Sequence, residues 1–293
     1  MDSKYLSNGT FTTPYVTNHI GEEKYKQCAY FIKEAKNITI ITGAGISTDS
    51  GIPDFRSSSG IYSEIPESFF TLDEFKKNPR KFYSFMKKLF SNKKPNKAHY
   101  LLTELQRKYK DKNINILTQN IDELHENSGF KKIIHLHGDI KKGYCLNCGR
   151  KIKKLNFNRY ECNCIADFNT YSCKTTNGLI RPDIVFYGED IKDQEKCIDI
   201  LKNTDLLIVL GTSLTVEPVA SFPKWISALA PIIIINKEPT YLDEDRMSVS
   251  FKESITETLT KIMEYIWFMN IKKDAICVFF NIHYKKNQNY LKV

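Results

Sequence analysis

The sequence has no apolar run as long as the roughly 18 residues that a membrane-spanning helix needs, so no membrane span is expected. Residues Met1 to Ile20 hold one lysine, no arginine and no apolar leader core; neither a signal peptide nor a transit peptide is expected. There is no arginine-rich block either. The formal net charge of +9 arises from lysines spread along all 293 residues. Such a spread argues for general attraction to acidic partners and against a dedicated nucleic-acid site. With no span and no leader expected, the expected setting is intracellular, cytoplasmic or nuclear, and there eight cysteines argue for metal or free thiols before disulfides. The rest of the composition, 41% hydrophobic and 26% charged, is that of a globular protein with one large core, or one core plus a small lobe.

What is present begins at residue 38. The apolar run Ile38 to Ile41 stops at Gly43, and Gly45 follows two residues later. A buried strand ending in such a turn brings bare backbone N–H groups up to a ligand, because glycine has no Cβ to block the approach. A helix starting at Ser47 or Thr48 would add its free N–H groups and dipole, which suit a pyrophosphate. The dinucleotide fingerprint of hydride-transfer enzymes is broken, however. Thr48 occupies the place of its third small residue, and the acidic residues about 20 positions on, Asp73 and Glu74, fall in a helix-like stretch. Gly51-Ile52-Pro53-Asp54-Phe55-Arg56 then reads as a stiff turn presenting a carboxylate, an aromatic face and a guanidinium.

Around this turn the chain alternates helical and strand patterns. Helices are expected over 22–36, over 71–90 with a break near Pro79, over 99–108 and over 251–268. Strands are expected over 113–118, 133–136, 205–210 and 231–235, with a further glycine-ended strand at Arg181 to Glu189. Several finish in polar clusters: Gln119-Asn120-Ile121-Asp122, His137-Gly138, Gly211-Thr212-Ser213 and Asn236-Lys237-Glu238. Polar residues at the carboxyl ends of parallel strands are where an α/β sheet binds its ligand.

Between Tyr144 and Cys173 the composition changes. Cys145-x-x-Cys148-Gly149 is a zinc-knuckle sequence, two thiolates with a glycine that lets backbone N–H groups turn toward sulfur. Cys162, Cys164 and Cys173 are the candidates for the second pair; which two close the tetrahedron stays open. Four thiolates leave no open coordination position and no histidine lies in the segment, so the zinc is expected to be structural.

Taken in order, Gly43-Ala44-Gly45-Ile46-Ser47, Gly51 to Arg56, Gln119 to Asp122, His137-Gly138, Cys145-x-x-Cys148, Pro182 to Glu189, Gly211 to Ser213 and Asn236 to Glu238 resemble the motifs of the sirtuins, NAD-dependent protein deacylases. The resemblance covers about residues 22–265. It implies an α/β fold: a Rossmann-like parallel sheet with helices on both faces, plus a small lobe with a zinc ribbon and a helical insertion. The implied division is a loose arm (1–21), an NAD-binding domain (22–56, 99–140 and 179–268), a helical insertion (57–98), a zinc-ribbon insertion (141–178) and a tail (269–293) without an assigned role.

The resemblance also implies the chemistry. NAD is the co-substrate; the acyl-lysine oxygen attacks the ribose carbon bearing nicotinamide, and the acyl group ends on ADP-ribose. His137 matches the general base, and Asn120 and Asp122 contact the nicotinamide and its ribose. Ala44 to Thr48 and Arg56 hold the pyrophosphate and the neighbouring ribose, with Gly43, Asp54, Gln119 and Ile121 beside them. Phe55 covers the nicotinamide side. Gly211, Thr212, Ser213, Asn236, Lys237 and Glu238 bind the adenosine half. Acyl-lysine proteins or peptides, histones among the candidates, are the implied partners, and the peptide lies between Val185–Glu189 and the Val216–Pro218 loop. The chain departs from the pattern in its irregular second cysteine pair and in having no arginine just after Tyr62 to hold an acidic acyl group. Two other readings share these residues: a protein mono-ADP-ribosyltransferase and a non-catalytic NAD-binding scaffold.

Overall fold

The computed structural model describes residues 21–146, 149–155, 179–245 and 247–268. Its strands are β1 (Asn37–Thr42), β2 (Asn113–Thr118), β3 (Ile133–His135), β4 (Gly138–Cys145), β5 (Lys151–Ile152), β6 (Ile180–Ile184), β7 (Leu206–Leu210), β8 (Ile232–Ile235) and β9 (Ser248–Phe251). Its α-helices are α1 (Glu22–Glu34), α2 (Leu72–Lys77), α3 (Pro79–Phe90), α4 (Lys97–Lys108), α5 (Leu124–Asn127), α6 (Gln194–Lys202) and α7 (Ile255–Phe268).

Six strands form one parallel sheet in the order β3-β2-β1-β7-β8-β9. The chain starts in the middle, winds to one edge, returns to the middle and winds to the other. This is the doubly wound order, and the reversal between β1 and β7 opens the crevice in which such sheets bind ligands. The strands are runs of Ile, Leu and Val because both faces are covered. Ile38, Ile40, Ile208 and Ile233 pack under α1, α4 and α7. Ile41, Leu207, Val209 and Ile234 turn the other way and pack against Cys197 and Leu201 of α6 and against Val219 and Phe222. Helices thus cover both faces, as expected.

A second sheet, β5-β4-β6, is antiparallel. Phe69, Phe75, Phe82, Tyr83 and Met86, from α2, α3 and the turn before them, pack on its Ile140, Ile180 and Ile184. Pro79 opens α3 at its first turn, where a missing N–H costs nothing, so the expected break at Pro79 separates two helices. The segment Arg181 to Glu189 is shorter as a strand than its sequence suggested, and it belongs to this small sheet. The cause is Arg181, whose two terminal nitrogens meet both oxygens of Glu189 at 2.8 and 3.0 Å and fold the segment back on itself.

Three further differences are local. The chain runs as strand β9 through Phe251, and the last helix starts only at Ile255. α6 was not anticipated. The helix expected at Ser47 begins earlier, as a 3-10 helix over Ala44–Ser50. Cys148, Cys162, Cys164 and Cys173, the tail 269–293 and the arm before Gly21 lie outside the described residues.

The glycines at the reversal are explained by packing. A Cβ on Gly45 would lie 2.7 Å from the Cα of Gly211, and one on Gly43 would lie 2.7 Å from the Gly211 carbonyl oxygen. Gly45 N–H donates to that oxygen at 2.9 Å. Gly211 has φ +62°, and a Cβ there would sit 2.5 Å from the Ile46 nitrogen. The turns after β1 and β7 touch backbone to backbone. Gly211→Ala should therefore destabilise the protein by about 3 kcal/mol or more, left-handed strain adding to a backbone clash. The urea midpoint measures it; an unchanged midpoint would show that the two turns have room to separate.

Candidate active site

β1, β2 and β7 end side by side, and the residues after them form a connected polar surface. Asn120 commits both protons of its side-chain amide, to the Gly43 carbonyl at 3.0 Å and to Ser47 Oγ at 3.2 Å. Ser47 then donates to Asp122 Oδ2 at 2.7 Å, while Asp122 Oδ1 accepts the Leu124 N–H at 3.0 Å. Ser47, Asn120 and Asp122 are all buried. Burial pushes the Asp122 carboxyl above its ordinary range, against the two hydrogen bonds that favour the ionised form. Gln119 reaches the third turn, its Nε2 donating to Thr212 Oγ1 at 2.9 Å.

His137 stands just past β3. Its Nδ1 lies 2.9 Å from the Gln119 carbonyl oxygen. A carbonyl can only accept, so Nδ1 carries the proton and the neutral ring keeps its lone pair on Nε2. Burial lowers the imidazole pKa below its ordinary value, with the Gln119 bond opposing. The ring is therefore neutral at pH 7 and fitted to take up a proton. His135 pairs instead with Glu126, away from this group.

The other expected site residues follow β1, β2, β7 and β8 along the chain. Thr48 turns its hydroxyl onto the Gly45 carbonyl at 3.0 Å. Ile46 and Ile121 direct their side chains toward hydrophobic clusters; Ile46 N–H donates to the Gly43 carbonyl at 3.2 Å, and the Ile121 carbonyl accepts the Ile140 N–H at 3.2 Å. Ala44 is half-buried, and Ser213 bonds Thr215. Asn236 follows β8 and its amide closes a turn onto the Glu238 carbonyl at 2.8 Å; the side chains of Lys237 and Glu238 are exposed. Asp54, Phe55 and Arg56 lie in the loop after the 3-10 helix. Asp54 Oδ1 accepts the Ser57 N–H, Phe55 stands 5.4 Å from the Tyr62 ring and 5.9 Å from Phe70, and exposed Arg56 lies over Tyr62.

The segment after β6 is held at several points. The bidentate Arg181–Glu189 pair anchors it, Val185 N–H donates to the His137 carbonyl, and Tyr187 N–H donates to the Phe70 carbonyl. Phe186 N–H goes to Glu189 Oε2. A peptide strand added here would meet mostly carbonyl acceptors unless one of these bonds opened. The Tyr187 hydroxyl also meets that of Tyr62. The buried residues Thr42, Thr118 and His125 behind Asn120 were assigned no role from sequence. The signal available was a threonine at each strand end and a histidine three residues after Asp122.

The donor set at the strand ends, hydroxyls and an amide–carboxylate pair beside a neutral histidine, is chemically suited to a dinucleotide. For zinc, Cys145 closes β4 in a tight turn. Gly149, at φ +70°, returns its N–H to the Cys145 carbonyl at 2.9 Å, and among the described residues no group of three or more metal-ligating side chains comes together.

Comparisons with known proteins point to one family. The profile of the Sir2 family matches residues 43–218. A protein of Bacillus anthracis named NAD-dependent protein deacetylase is 38% identical over 226 residues, covering 74% of this chain and 89% of that one. A Thermotoga maritima protein of the same name is 36% identical over 253 residues, with 82% and 98% covered. Among solved structures, a Sir2 protein with a deacetylated p53 peptide and 3'-O-acetyl-ADP-ribose superposes with a TM-score of 0.72 at 34% identity, covering 82% of this chain and 97% of that one.

The raised pKa of Asp122 has a consequence for stability. A carboxyl whose folded-state pKa lies above its unfolded value stabilises the fold at low pH, and that contribution is lost as pH rises through the folded pKa. At pH 7 the ionised Asp122 therefore costs stability. Asp122→Asn removes this pH-dependent cost but also one acceptor, for Ser47 or for the Leu124 N–H, so the variant should stand lowest against the wild type near pH 4 and gain on it as pH rises toward 7. Calorimetry across that range decides it; a difference in melting temperature that does not change with pH would contradict the assignment.

Proposed function

The chain belongs to the Sir2 family, and from that premise we propose that it is an NAD-dependent protein-lysine deacylase, with acetyl-lysine peptides as the substrate class. Bound NAD supplies the electrophilic ribose carbon and, as nicotinamide, a leaving group that departs neutral. No strong protein nucleophile is then needed, which agrees with a site whose side chains are an amide, hydroxyls, carboxylates and a neutral histidine.

The observation that carries the reading is the Gln119–His137 bond. It fixes the tautomer, leaving Nε2 as the base for a ribose hydroxyl proton when the acyl group moves to ADP-ribose. Asn120 and Asp122, locked through Ser47, orient the nicotinamide half. The Ala44–Thr48 backbone and Arg56 take the pyrophosphate; Thr212, Ser213, Asn236 and Glu238 take the adenosine half. A carboxylate at Glu238 repels a 2'-phosphate, so NAD is favoured over NADP. The peptide's acyl-lysine passes beside Phe55, Tyr62 and Phe70, and the peptide backbone lies along Val185–Glu189.

His137→Ala should slow deacylation about 10²–10⁴-fold, the usual worth of a general base, while NAD affinity stays within a few-fold. Because burial lowers the His137 pKa, the neutral base persists below the ordinary histidine range, and the wild-type rate should fall only at pH values below about 6.5. Steady-state kinetics of an acetyl-lysine peptide measure both. Near wild-type turnover in the variant would remove His137 from the mechanism.

One structural zinc is proposed, held by Cys145, Cys148 and two of Cys162, Cys164 and Cys173. In such ribbons metal binding is folding free energy. Elemental analysis should give one zinc per chain, and Cys145→Ser should lower thermal stability and metal content together. Well-folded wild-type protein without zinc would overturn the site.

A further inference from the structure

Beneath the strand ends lies a buried polar chain that the reaction, as described, does not use. His125 on α5 is 1% exposed, and its Nε2 lies 3.0 Å from Thr42 Oγ1. Thr42 spends its hydroxyl proton on Thr118 Oγ1 at 2.8 Å, so its oxygen can only accept from the ring and His125 carries its proton on Nε2. Thr118 Oγ1 also accepts the backbone N–H of Asn120 at 3.0 Å. Thr42 and Thr118 are the last residues of β1 and β2 and stand opposite each other in register. The residues after them therefore open two turns of the site. Gly43 gives its carbonyl to Asn120; Gln119 takes the Thr42 carbonyl with its N–H at 2.9 Å and gives its own carbonyl to His137.

We propose that His125 is a positioning residue for the deacylation: through Thr42 and Thr118 it fixes where the Asn120 amide and the Gln119 carbonyl stand, and so the placement of the nicotinamide contact and of the His137 ring. The inference rests on the deacylase reading above. Its physical ground is that a residue kept only for packing here would be apolar. His125 instead keeps Nδ1 buried without a hydrogen-bond partner among the described residues. The same holds for Nε2 of His99, whose ring centroid is 4.9 Å away. Leaving such nitrogens unpaired is a cost that a leucine would avoid. What the histidine supplies in return is one N–H donor aimed at Thr42. Burial keeps both rings neutral, with His99 lowered to about 4, so the donor does not change character across the physiological range.

Four variants test this. His125→Met fills the space without the donor, and His125→Gln restores an N–H. Thr42→Val removes the next link without touching the histidine, and Thr42→Ser restores it. The Met and Val variants should lose roughly 10–100-fold in kcat with an acetyl-lysine peptide, as when reacting groups shift slightly. KM for NAD should stay within about threefold, and Gln and Ser should each recover most of the loss. NMR of the Asn120 side-chain amide gives a readout independent of turnover: its resonances should move in the Met and Val variants and return in Gln and Ser. If either His125 variant fails to fold, the Thr42 pair decides. Unmoved Asn120 resonances in the Thr42→Val protein, or equal kcat for Val and Ser, would overturn the proposal. A wild-type protein without turnover would overturn the deacylase reading alone, and the NMR comparison would still stand.

Discussion

The contact on which this molecule depends is made without side chains. Gly45 and Gly211 meet backbone to backbone, with N–H to carbonyl at 2.9 Å and no space for a Cβ on either. That contact holds the turns after β1 and β7 together at the one place where the doubly wound sheet reverses direction. A side chain there would force the turns apart and with them everything the turns carry: the 3-10 helix, the Ser47 hydroxyl, and Thr212, to which Gln119 is bonded.

From this point the site is assembled by hydrogen bonds that each fix the next. Asn120 spans from the first turn to the second, Ser47 relays it to Asp122, and Gln119 ties the second turn to the third strand through His137. Because these groups are buried, each bond is stronger than it would be in water and each loss would be correspondingly costly. The result is a neutral imidazole with a defined lone pair, next to an amide and a carboxylate whose orientations are set before any ligand arrives. Preorganisation of this kind suits a reaction in which the leaving group is already activated and the protein must mainly orient and move one proton.

Much of this was legible in the sequence, for identifiable reasons. Leu206 to Leu210 is a continuous apolar run because its strand is covered on both faces, and Ile38 to Ile41 and Ile114 to Leu117 are each broken by one buried polar residue only, Thr39 and Asn115. The polar clusters after them announced a site at the strand ends. Less was readable where the cause is non-local. Ser248 to Phe251 is a short polar-containing edge strand, legible only through its partner β8. Arg181 to Glu189 looked like one strand, since nothing in its pattern tells that the two charged ends bind each other. The glycines were recognised for a partial reason: the sequence suggested room for a ligand, whereas the structure shows room for another backbone. The Thr42–Thr118–His125 chain depends on the register of two strands 76 residues apart (42 against 118), which no local pattern encodes.

The central claim is that this geometry moves an acyl group from lysine to ADP-ribose. The most direct measurement is a product balance by mass spectrometry after incubating the protein with NAD and an acetyl-lysine peptide. The account predicts one free lysine, one nicotinamide and one acetyl-ADP-ribose for each NAD consumed. NAD consumption that left the acetyl group on the peptide, released it as free acetate, or attached ADP-ribose to protein would contradict it.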